Sequence, residues 1–167
     1  MTVAPTDEGA RHKVAELYRA LGHSVLRRAR RILASDAEAE DVLHDLFLRM
    51  AERPDELLRA REPAAFLYGA VAHACLNRLR DAKNRTRLLA DRATFRTPHA
   101  EPDGESTAAL RQVLATMPPE LAEVTIYYHM DEMTHAEIAE VLGCSRRHVG
   151  DLLERARRYF PTAEATP

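Results

Sequence analysis

The sequence has no tryptophan, and aromatics of all kinds make up only 5% of its 167 residues. Large rings therefore cannot dominate the core. Filling must come mostly from Leu, Val, Ile, Ala and Met, within a hydrophobic fraction of 46%. Only two cysteines occur, Cys75 and Cys144, too few for a disulfide framework or a zinc site and suited to a reducing cytosol. The N-terminal MTVAPTDEGARHK has no apolar stretch of the secretory kind. No run of about 18 apolar residues exists either, so a soluble, cytoplasmic protein without a membrane span is expected. A formal charge of -2 excludes a globally basic nucleic-acid binder but leaves room for local basic patches.

What is present is helical periodicity, with no strand alternation of any length. One helix is expected from Thr6 to Leu21, with Val14, Leu17, Tyr18 and Leu21 on a stripe. A second is expected from about Gly22 to Ala34, with Val25, Leu26, Ala29, Ile32 and Leu33 inward. Its other face carries Arg27, Arg28, Arg30 and Arg31, with no acid nearby in sequence. Ser35 and Glu38 have capping-box spacing, in which hydroxyl and carboxylate satisfy free backbone N–H groups reciprocally. The helix that follows, to Met50, puts Ala39, Val42, Leu43, Leu46, Phe47 and Met50 on one side and Asp41, His44, Asp45 and Leu48 on the other. A polar loop is expected from Ala51 to Glu62. Pro63 then suits the first turn of a helix reaching roughly Lys83, with Phe66, Leu67, Ala70, Val71, Ala74, Cys75, Arg78 and Leu79 along its stripe.

The stretch TFRTPHAEPDGE, from Thr94 to Glu105, has two prolines, a glycine and little apolar content, and reads as a flexible linker. The helical pattern restarts with Leu110, Val113, Leu114 and Met117. Pro118-Pro119 closes that helix and opens another carrying Leu121, Val124, Thr125 and Tyr128. The expected fold is therefore all-α: two small helical domains, residues 1–93 and 106–160, joined by a linker at 94–105 and followed by a tail at 161–167.

The segment THAEIAEVLGCSRRHVGDLLERARRYF, from Thr134, carries the most specific pattern. Thr134 and Glu137 repeat the capping-box spacing. A small residue at Ala139 lets two helices cross closely, Gly143 makes a turn that favours positive φ, and Val149 packs the second helix on the first. Ser145 caps the second helix. This is helix-turn-helix spacing, and it presents Ser145, Arg146, Arg147, His148 and Asp151, with Arg155 further along, to a DNA groove.

At this point the chain resembles an extracytoplasmic-function sigma factor of the sigma-70 family. DAEAEDVLHDLFLRM, from Asp36, resembles the region that docks on the polymerase clamp. FLYGAVAHACLNRLRD, from Phe66, resembles the helix that reads and melts the -10 element. LATMPPELAEVTIYYHMDEMTHAEIAEVLGCS, from Leu114, and HVGDLLERARRYF, from His148, resemble the -35-binding domain and its recognition helix. The resemblance implies core RNA polymerase and promoter DNA as partners, leaves an anti-sigma factor open as a third, and implies no cofactor, metal or small-molecule substrate. It also implies that the second domain meets the polymerase flap.

Core polymerase contacts are then expected from Asp41, His44, Asp45 and Leu48, an acidic surface around one apolar group facing a basic partner helix. Asp45 occupies the slot of the family's usual acid, and His44 replaces its usual Gln. Contacts with the -10 element are expected from Arg53, Arg59 and Arg61, and from Tyr68, His73, Asn77 and Arg80 along one side of the long helix, since melting needs cations for phosphates and a pocket for a flipped base. Contacts with the -35 element are expected from Ser145, Arg146, Arg147, His148, Asp151 and Arg155.

The chain also departs from the family. Ala72-His73 stands for the usual Arg-Asn, and Phe66 for a frequent Trp. Gly150, Asp151 and Leu152 stand where more basic residues are usual. From Ser106 to Phe160 there are six bases against eight acids, an acidic balance for a DNA-binding domain. The competing reading is an accessory regulator with the sigma fold that binds a protein partner and does not initiate transcription on its own. An enzymatic reading, from the dipeptide His44-Asp45, would need further metal ligands such as His12 or His23, whose spacing does not single them out.

Overall fold

The computed structural model describes residues 7–90 and 105–160. Its elements, among the described residues, are all helical: α1 (Asp7–Leu33), α2 (Asp36–Glu52), α3 (Pro54–Leu58), α4 (Pro63–Ala90), α5 (Glu105–Thr116), α6 (Pro119–Thr125), a π turn (Ile126–Met130), α7 (His135–Leu142) and α8 (Arg146–Arg157). Most of the expected linker, 94–104, and the expected tail lie outside the described residues; Glu105 already belongs to α5. The chain divides into two compact units, Met1–Cys75 and Leu76–Pro167, with the division inside α4.

In the first unit α2 packs along α1, and α3 touches both. The two helices expected on either side of Gly22 are one continuous helix of 27 residues. The buried series Ala10, Val14, Val25, Ala29 and Ile32 runs through the glycine at helical spacing, and the nearest neighbour a Cβ there would meet is the Tyr18 ring, at 3.5 Å. One glycine inside a helix costs about 1 kcal/mol, less than the burial of an uninterrupted stripe contributes. In α2 the buried residues are Ala39, Val42, Leu43, Leu46, Phe47 and Met50, as the periodicity implies. The Ser35 hydroxyl accepts from the Glu38 N–H at 3.3 Å, so Ser35 caps the helix; the reciprocal arm seen at Thr134 is not formed here.

The stretch expected as a polar loop contains α3. Pro54 occupies its first turn, and Leu57, with no exposure at all, anchors it in the core. Helix α4 continues past Lys83 to Ala90. Its buried residues are Leu67, Val71, Ala72, Cys75 and Leu76. The stripe is thus rotated toward Ala72 and Leu76, and Phe66, Ala70 and Ala74 are half-buried.

The second unit is built from shorter helices. Pro119 opens α6, and the chain then widens into a π turn, in which the Asp131 N–H donates to the Ile126 carbonyl at 3.0 Å, five residues back. Tyr127 is buried (1% exposed) and donates its hydroxyl to Glu123 at 2.9 Å, whereas Tyr128, expected inward, is 40% exposed.

After α7, Gly143 adopts φ 63° and ψ 35°. The N–H of Gly143 donates to the Glu140 carbonyl at 3.3 Å, and that of Cys144 to the Ala139 carbonyl at 3.0 Å. These two bonds close the helix C-terminus in the Schellman pattern, and the left-handed conformation is cheap only for glycine. Ser145 then accepts from the His148 N–H at 3.1 Å and starts α8. Val149, Leu152, Leu153 and Ala156 turn inward against α6 and α7. The sharp turn and the buried face of α8 together leave its opposite face outward.

Candidate functional site

Three exposed surfaces carry the residues singled out from the sequence. The first is the outer face of α2. At 100° per residue, Asp41, His44, Asp45 and Leu48 fall within an arc of about 100°. All four are exposed, opposite the six buried residues of the same helix. Leu48 is 51% exposed, a large apolar group in an acidic surround. Tyr18, which the periodicity places in the core, is 48% exposed and stands edge-on against Phe47 with ring centroids 4.9 Å apart. Its apolar body packs while its phenolic edge stays wet, a division an aromatic of this type makes readily.

The second surface involves α3 and α4, and the structure does not bring its expected residues to one side. His73 and Asn77 are exposed and one helical turn apart. Tyr68 lies roughly 140° round the helix from His73. It is half-buried, its carbonyl accepts from the Arg28 guanidinium, and its ring lies 5.0 Å beneath that group. Arg80 is half-buried and donates to the Met117 carbonyl at 3.2 Å, within the second unit. Arg53, Arg59 and Arg61 are exposed, and Arg59 is paired with Asp55 at 3.1 Å, one turn earlier.

The basic strip expected on α1 also divides. Arg28 is 3% exposed, held by Tyr68. Arg30 pairs with Asp36 at 3.0 Å and Glu40 at 3.1 Å on α2. Arg27 and Arg31 remain on the outside. Sequence proximity concealed those acids, because α2 folds back along α1.

The third surface is the outer face of α8. Arg147, His148, Asp151 and Arg155 are exposed and fall within an arc of about 100°. Arg146 is exposed in the first turn, and the hydroxyl of Ser145 is engaged in the cap. Arg155 is tied to Glu120 of α6 at 2.9 Å. Before α7 the capping box is complete: the Thr134 hydroxyl and N–H donate to the Glu137 carboxylate at 2.7 and 2.8 Å, while the Glu137 N–H donates to the hydroxyl at 3.3 Å. The hydroxyl first and then the backbone N–H hold the Glu137 carboxyl below its ordinary value.

A cleft of about 770 Å³ opens on the second unit between α5, the π turn, α7 and α8. Leu110, Val113, Tyr128, His129, His135 and Phe160 supply much of its lining, with the bare backbone of Gly150 in its wall. Sequence reasoning did not find it, because the π turn that carries the outward Tyr128 has no sequence signature of its own.

Two family models match the chain: Sigma-70 region 2 over residues 17–85 and Sigma-70, region 4 over residues 107–159. The chain belongs to the sigma-70 family. The chain is also similar to an RNA polymerase sigma-E factor of Streptomyces avermitilis, 27% identical over 146 residues, with 84% of this chain and 79% of the relative covered. Among solved structures, the fold is similar to that of the sigma factor RpoE from Bartonella quintana, solved in complex with the anti-sigma factor NepR. There the TM-score is 0.51 and identity 16%, covering 87% of this chain and 91% of that one. The extracytoplasmic-function sigma factor SigJ of Mycobacterium tuberculosis gives a TM-score of 0.47 at 22% identity, covering 87% of this chain and 52% of that one.

The region 2 match takes in the whole of α2 and α3 and α4 as far as residue 85, and the region 4 match takes in α7 and α8 with the helices before them. Both cover the surfaces described above. The departure at Ala72-His73 has a physical reading: Ala72 is fully buried, where an arginine would be desolvated, and His73 alone of the pair faces out. Among the described residues no three of His, Cys, Asp and Glu gather to hold a metal ion, and no helix is long and apolar enough to cross a membrane.

Proposed function

We propose that this sigma-70 family protein directs promoter-specific initiation by binding core RNA polymerase and the -10 and -35 elements. The observation that supports this most is the α2 face: three polar groups around an exposed Leu48, on a helix whose other side is committed to the core. Such a face meets a basic partner helix through electrostatic steering and one desolvated apolar contact. Exposed His73 and Asn77 on α4, with Arg53 and Arg61 before it, serve the melted -10 strand. Tyr68 contributes as a wall held by Arg28. On the second unit, Arg146, Arg147 and His148 at the start of α8 approach the -35 duplex, where the helix N-terminus also favours phosphate. The aromatic cleft beside α8 offers an apolar seat for the polymerase flap. An anti-sigma factor, of the kind that accompanies the similar Bartonella protein, would compete for these surfaces.

Association of the full chain with core polymerase tests the reading. Leu48→Glu on an exposed position leaves the fold intact and weakens association at least tenfold; unchanged association removes α2 as the docking face. The accessory-regulator reading draws on the acidic balance of the second unit. It calls for core association without initiation.

A further inference from the structure

We propose that Glu120 is a built-in brake on -35 binding, which occupies Arg155 and withholds it from the DNA backbone. The inference rests on the reading of α8 as the -35 recognition helix. The cations of α8 are unevenly engaged. At its N-terminal end Arg146 and Arg147 are exposed and, among the described residues, have no ion-pair partner. Toward its C-terminal end Arg155 holds Glu120 at 2.9 Å, and Arg157 holds Glu154 at 3.6 Å.

The two pairs differ in kind. Glu154 lies three residues before Arg157 on the same helix, an ordinary surface pair. Glu120 reaches Arg155 from α6, 35 residues away in sequence, through a hydrogen bond from the guanidinium. Arg155 also stands on the face that carries Arg147, His148 and Asp151, whereas Arg157 lines the cleft on the other flank. Arg155 is therefore the cation on the proposed DNA face whose charge is already met by the protein itself.

Both members of the pair are about half-exposed, 51% and 55%. An exposed pair of this type adds little to stability, so the fold does not require it. Its consequence falls on DNA instead. A phosphate must displace a carboxylate already at hydrogen-bond distance, and Glu120 then faces the polyanion unpaired. Removing the carboxylate frees one cation and removes one repulsion.

The test measures binding of the full chain to a duplex carrying a -35 element across a series of salt concentrations. Glu120→Gln is expected to steepen the slope of log K against log salt by about 0.9, one additional phosphate contact, and to tighten binding about three- to tenfold near 0.1 M salt. A structural role alone would shift melting temperature without changing that slope. The gain must also vanish in the double variant Glu120→Gln/Arg155→Gln, since it acts through Arg155. Wild-type binding with an unchanged slope in Glu120→Gln overturns the brake and leaves the -35 reading standing. Absence of binding in both proteins overturns both. Binding that appears only in Glu120→Gln supports the brake in its strongest form.

Discussion

The two regions of this chain reach the same helical end by different means. The first relies on length: α1 and α2 have 27 and 17 residues, and with the first part of α4 their stripes bury enough apolar surface to hold them with modest capping. The second relies on helix ends. Its helices α5 to α8 have 12, 7, 8 and 12 residues, and a helix of two turns has most of its backbone groups in terminal positions. Prolines, a capping box, a left-handed glycine and a serine cap fix those ends. The arginines divide in the same way. In the first region Arg28 and Arg30 are spent on internal contacts, leaving an acidic α2 face; in the second Arg146 and Arg147 are left outward. Structure is thus stored in stripes on one side and in caps on the other, and the surfaces differ in sign accordingly.

The largest test of that contrast is Arg28→Ala. It removes a 3% exposed side chain that covers the Tyr68 ring and donates to its carbonyl. A loss of about 3 kcal/mol is expected from the cavity and the orphaned carbonyl, seen as faster amide exchange in α1 and α4 with α7 and α8 unaffected. Arg27→Ala, on the exposed side of the same helix, stays within about 0.5 kcal/mol. Equal effects would show that the strip acts as one surface.

Next is Gly143→Val, which forces a β-branched residue to φ 63°. About 2 kcal/mol is expected, confined to exchange in α7 and α8. Ser145→Ala should cost about 1 kcal/mol at the start of α8, again without effect on the first region.

The smallest effect concerns pH. The lowered Glu137 carboxyl means that its contribution is present above the ordinary carboxylate range and lost as pH falls through the lower, folded value. Acid melting of the second region should therefore show a limb below that range, and Glu137→Gln should flatten it. An acid limb of the same size in the variant would remove the capping box as its source.

Much of this was legible in the residues. The α2 pattern separates buried from exposed positions without error, because a helix with one buried face repeats its stripe every turn. The turn of the helix-turn-helix was legible because Gly143 and Ser145 do chemistry that few other residues can. Three features were not. Gly22 reads as a break, yet continuous burial on both sides carries the helix through it. Tyr127 rather than Tyr128 is buried within a π turn, and nothing in IYYHM announces one. The partners of Arg28, Arg30 and Arg155 stand on other helices, 40, 6 to 10 and 35 residues away, so no local pattern records that these cations are taken. The candidate sites suffered from the same cause: exposure followed periodicity on α2 and α8, whereas Arg28, Tyr68 and Arg80 are drawn inward and their engagement depended on the tertiary fold.

Run-off transcription with core polymerase and a promoter library, using the wild-type chain beside Leu48→Glu, decides whether the α2 face serves initiation. Initiation from a defined set of sites is expected with the wild type, and loss of that initiation with the variant. A wild-type chain that binds core polymerase yet starts transcription from no site would contradict a role in initiation.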